Sequence, residues 1–105
     1  MLTEKQMAEL EVKHGRIARL RDPQGKWEVV LRKPTRPEYK AFRARSHNPA
    51  QIADAQEQLV RQIVVHPTAE AFGSLLDDYP GIAESPAASK ALQALTGMAA
   101  EEDSK

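Results

Sequence analysis

Histidine and the carboxylates are the residues of this 105-residue chain with the widest chemical reach, and their spacing decides what they can do. The three histidines, His14, His47 and His66, stand far apart in the sequence. None shares a helix face with another histidine at ligand spacing, so no metal site is expected. His66 closes an apolar helical stripe, where an imidazole serves the free carbonyls of a helix end. Asp77 and Asp78 are neighbours and so point to different sides of a helix, which suits solvation and not a shared proton. Asp54 and Glu57 sit three apart, away from the apolar face of their helix. Cysteine is absent, which excludes a disulfide framework, a thiolate zinc site and a cysteine nucleophile. No GxSxG, P-loop, dinucleotide fingerprint or HExxH motif occurs. The expectation is a protein that is not an enzyme, with no catalytic residue, metal or cofactor.

Basic residues offer a different chemistry. Ten of them (Arg16, Arg19, Arg21, Lys26, Arg32, Lys33, Arg36, Lys40, Arg43 and Arg45) fall within residues 16–45, interleaved with Trp27, Tyr39 and Phe42. Such a stretch can follow a phosphate backbone while the aromatics stack on bases. Arg32, Lys33 and Arg36 are the residues this nucleic-acid alternative would use first. Against it, the following helix begins with Gln51, Asp54 and Glu57, the wrong charge for a recognition helix.

The whole chain carries 15 basic and 15 acidic residues, yet they are unevenly placed. Residues 1–45 hold twelve basic against six acidic side chains, and residues 46–105 hold three against nine. A chain polarised in this way can pair its halves internally, associate head to tail, or offer each face to a different partner. Hydrophobic residues make up 41%, enough for one modest core in a domain this small. No stretch approaches a membrane span, and the first residues lack the apolar centre of a signal peptide. A cytoplasmic location without membrane contact is expected.

The elements that must position these residues can be read from their caps and periods. Thr3 with Gln6 is a capping box, and Gly15 ends a short helix over 4–14. Trp27, Val29 and Leu31 alternate with Glu28, Val30 and Arg32, the rhythm of a strand with one buried face. Asp22-Pro23-Gln24-Gly25 supplies a turn, and residues 16–21 become the partner strand of a hairpin. Thr35 and Glu38 cap a helix carrying Tyr39 and Phe42 on one face. Asn48-Pro49 opens the strongest helix, over 49–65, with Ile52, Ala55, Leu59, Ile63 and His66 as its stripe and Val60 and Val64 beside it. Thr68 caps a segment with Phe72, Leu75, Leu76 and Tyr79, which Pro80-Gly81 breaks. Ser85-Pro86 starts a last helix ending at Gly97.

The expected fold is α+β and mainly α: a short N-terminal helix and one β-hairpin, followed by a bundle of about four helices. Trp27, Val29 and Leu31 should face those helices. Residues 1–97 read as a single small domain and 98–105 as an acidic flexible tail. Leu59, Ile63, Phe72 and Leu76 could line a groove for a helical partner, or fill the protein's own core.

The order of segments is familiar. A strand pair leads into "VVLRKPTRPEYKAFR", then "DAQEQLVRQIVVHPTAEAFGSLLDDYPGI", then "ALQALTG". Over about residues 26–97 this is similar to small tail-assembly proteins of bacteriophages, in particular the tail assembly chaperones of long-tailed phages. The resemblance implies a non-enzymatic factor of the host cytoplasm that binds the helical tape-measure protein and keeps it soluble. It also implies self-association and help in recruiting tail-tube subunits. The long C-terminal extension that some members carry is missing here. No binding residue carries over position by position.

Overall fold

Each helix that begins after a Thr or Ser starts where that side chain can accept one of its free N–H groups. In the computed structural model, which describes residues 2–97, Thr3 accepts from Gln6 N at 3.1 Å and the Gln6 carboxamide accepts from Thr3 N at 2.8 Å. That box opens α1 (Glu4–His14). Gly15, at φ 80°, ends it with a turn that L side chains resist. Strands β1 (Ile17–Arg21) and β2 (Glu28–Arg32) follow as an antiparallel hairpin with Leu20 opposite Val29 and Ala18 opposite Leu31. The turn is the expected one: Gly25 N donates to Asp22 O at 2.9 Å, and the Asp22 carboxylate accepts from Gln24 N and Lys26 N.

Helix α2 (Arg36–Ser46) starts at the Thr35–Glu38 box, and α3 (Ile52–Ile63) packs against it. Thr68 opens α4 (Ala69–Asp78), and Ser85 opens α5 (Pro86–Thr96). A single 3-10 turn, Ile82–Glu84, lies between them and buries Ile82 and Ala83. The architecture is α+β and mainly helical, as the sequence implies.

The long helix is shorter than expected. Residues 48–51 form a turn held by Asn48, and the α-helix runs only from Ile52. At its other end Val64–His66 leave the helix and form a third strand, β3, beside β2. Two consecutive β-branched residues favour the extended backbone, and the outer edge of β2 offers unpaired N–H and C=O groups to be satisfied. The register slips by one residue between Val30 (opposite His66) and Leu31 (opposite Val64). The hairpin is therefore two strands of a three-stranded antiparallel sheet, ordered β1-β2-β3. His66 is a strand residue and not a helix-end histidine, and Ile52 is exposed and off the buried stripe.

Both sheet faces are covered. Leu20, Val29 and Leu31 join Leu59, Ile63, Phe72, Leu76 and Leu92 in the core, with Trp27 packed at its margin. The second face was expected to meet water, yet Glu28 and Val30 are buried there. The residues leading into α1 cover it. Leu2 N donates to Glu28 Oε1 at 2.7 Å, and Arg19, ion-paired to Glu28, donates to Leu2 O at 3.0 Å. Burial pushes the Glu28 carboxyl up, but the Leu2 N–H and Arg19 outweigh it and leave it below the usual range. No residue of α1 itself is buried.

Candidate functional site

Leu59, Ile63, Phe72 and Leu76 lie inside the protein. The first three are at most 1% exposed and Leu76 is 5% exposed. The helix stripes on which they sit close on the sheet, so these residues belong to the core, with Leu59 also lining a small cleft of about 180 Å³ beside Phe42 and Leu92.

The three basic residues singled out for nucleic acid separate in space and role. Arg32 points its fork at Glu38, with bonds of 2.8 and 2.9 Å, and also donates to Gln62 O at 2.9 Å. It ties the end of β2 to the start of α2 and to α3. The Arg32 fork holds the Glu38 carboxyl down at about 2, and the Thr35 N–H adds to the effect. Glu38 in turn raises Arg32 above its ordinary value. Lys33 and Arg36 are exposed. With Arg16 and Tyr39 they line an open cleft of about 330 Å³ beside the end of α5, and no acidic side chain lines it.

The histidines do not converge. His14 ends α1, His47 follows α2 with its Nε2 3.4 Å from Arg43 Nη2, and His66 sits in β3. Among the described residues no group of three histidine or carboxylate side chains is placed to hold a metal ion. Glu57 pairs with Arg61 at 3.3 Å along α3, and Asp54 is exposed. Among the described residues, no helix is long and apolar enough to cross a membrane. Residues 98–105, read from the sequence as a tail, lie outside the described residues.

The feature that sequence reasoning missed is at the turn end of the hairpin. Trp27, just before β2, meets Tyr79, just past the end of α4, with ring centroids 6.4 Å apart and planes inclined by 50°. Trp27 is half-buried against the core, and Tyr79 is 39% exposed. The two rings form one wall of an open cleft of about 430 Å³, with Ile82 in its lining and Asp22 and Asp78 among its polar residues. No basic residue lines it. The sequence did carry a signal, since the helix breaker Pro80-Gly81 follows Tyr79 directly and leaves that ring at an element end.

No family model matches the chain, and neither does any curated protein. Among solved structures, an uncharacterised protein of Bacillus stearothermophilus, RBSTP2171, is similar over 94% of this chain and 99% of its own. The TM-score is 0.69 and the identity 19%, so the likeness is one of fold.

Proposed function

We propose that this chain is a non-enzymatic assembly factor that binds other proteins, as tail assembly chaperones of long-tailed phages bind a helical client such as the tape-measure protein. The observation that carries the reading is the Trp27–Tyr79 cleft. The chain has only five aromatic residues, and two of them meet at the surface in an open, apolar-floored cleft. Large amphipathic rings in such a position are characteristic of protein interfaces. The client contact thus belongs at this cleft, since Leu59, Ile63, Phe72 and Leu76 are committed to the core. The resemblance over residues 26–97 supports the same reading, with the host cytoplasm as the place of action. Co-expression with a tape-measure fragment tests it. The fragment should become soluble and co-purify; equal aggregation with and without this protein would reject the reading.

The basic cleft favours a second reading. Arg16, Lys33 and Arg36 around Tyr39, with no acid among the lining residues, suit a phosphate backbone. Retention of DNA or RNA at ~50 mM salt, with a salt slope flattened by replacing Lys33 and Arg36 with Gln, would support it. No retention at that salt rejects it.

A further inference from the structure

The aromatic cleft has a defined electrical character. Its two rings touch at an angle, so nothing slides between them, and a ligand must lie across the faces they turn to solvent. Asp22 Oδ2 is occupied by the Gln24 and Lys26 N–H groups, which leaves Oδ1 available. The Asp78 carboxylate is exposed and has no ion-pair partner among the described residues. The Ser85 hydroxyl is already engaged with Ile82 O and Ala88 N. The free polar capacity of the cleft is therefore anionic.

The helix behind it reinforces that sign. The last turn of α4 contains Asp77 and Asp78 and no basic residue. A helix C-terminus already carries partial negative charge, and cations are the side chains that stabilise it. Two carboxylates at that end oppose the dipole and raise the free energy of the isolated protein. Arrangements that cost local stability are retained at functional sites, where a ligand relieves them.

We infer that the Trp27–Tyr79 cleft receives an arginine side chain from a protein partner. A planar guanidinium can lie on an aromatic face and present its fork to a carboxylate at the same time. Its aliphatic stem would cross the apolar floor at Ile82. Lysine supplies the charge without the plane or the fork and should bind more weakly. This inference names the contact chemistry of the protein-binding surface proposed above and rests on that reading, but its test needs no client.

Trp27 is the only tryptophan, so its emission reports on the cleft alone. The probes are N-acetyl-arginine amide, its lysine counterpart and the neutral isostere N-acetyl-citrulline amide, titrated at matched ionic strength. The arginine probe should give a saturable change with a dissociation constant of order millimolar, as befits one side chain. Lysine should bind several-fold more weakly, and citrulline should give no saturable change. Asp78→Asn should weaken arginine binding at least about fivefold while leaving the unfolding midpoint unchanged or higher, because a charge opposing the helix dipole is gone. A carboxylate with only a structural role would instead lower the midpoint and leave the affinity alone. Equal responses to arginine and citrulline, no saturation with arginine, or full affinity in the Asp78→Asn variant would overturn the inference. If the variant still captures a co-expressed client as the wild type does, the arginine contact fails while the protein-binding reading stands. Arginine binding without capture of any client would uphold the cleft chemistry and reject the protein-binding reading.

Discussion

Replacing Glu38 with Gln should make the protein less stable at neutral pH and also change how its stability depends on pH. The carboxylate does two jobs: it accepts the Thr35 N–H at 2.8 Å in the capping box, and it receives the Arg32 fork. Glutamine can keep the first bond but neutralises the partner of Arg32. In the folded protein the Glu38 carboxyl titrates at about 2, against an ordinary 4.5. A group whose pKa is lowered by folding stabilises the protein above its unfolded value, and the effect fades as pH falls toward the folded one. The window therefore runs from about pH 5 down to about 2. At 1.36 kcal/mol per unit the full shift would be worth roughly 3 kcal/mol. The side chains of the pair are 24% and 23% exposed, so solvent screening reduces the expected loss to about 1–2 kcal/mol. Urea unfolding at a series of pH values, followed by far-ultraviolet circular dichroism, measures it. The gap between wild type and Glu38→Gln should be full at pH 7 and nearly closed near pH 2. A gap that stays constant with pH would show that the ion pair contributes nothing and that only packing or capping was disturbed.

Phe72→Ala should lower stability by about 3–5 kcal/mol, because the ring is 1% exposed in the core; a loss near zero on calorimetry would mean that it serves a surface role. Glu28→Ala leaves Arg19 without its partner and Leu2 N without its acceptor, so about 2–3 kcal/mol should be lost and the amides of α1 should exchange hydrogen faster. The Nε and Nη2 atoms of Arg45 are buried with no hydrogen-bond partner among the described residues. Arg45→Met, which keeps the stem, should raise the unfolding midpoint by the equivalent of about 1 kcal/mol.

Local signals in the sequence held at most places where one side chain meets one backbone group, the exception being Asn48, which bonds Ala50 N in a turn and does not cap α3. The caps at Thr3, Thr35, Thr68 and Ser85 all form, and the Asp22–Gly25 turn closes the hairpin as its residues dictate. What depended on distant partners was harder to read. Val64, Val65 and His66 continue the helical apolar pattern, and only the open edge of β2 draws them into a strand. Glu28 and Val30 alternate with the core residues and read as a wet face. Burial of that face follows from the segment leading into α1, 26 residues away at the Leu2–Glu28 bond. The candidate site was least legible of all. Leu59, Ile63, Phe72 and Leu76 fit a core more readily than a groove, yet both stayed open because periodicity shows which face is apolar and not what covers it. Trp27 and Tyr79 each belonged to an apolar pattern of its own, and their meeting at the surface arises only when the hairpin turn is set against the end of α4.

Sedimentation of the purified protein mixed with a soluble helical fragment of a tape-measure protein tests the central claim most directly. At ~150 mM salt, where only contacts beyond weak surface charge attraction persist, the account predicts a species heavier than either component. It further predicts that Trp27→Ala or Tyr79→Ala removes this species while leaving the circular dichroism spectrum intact. Independent sedimentation of the two proteins would contradict the account, as would a complex that forms equally well without the two rings.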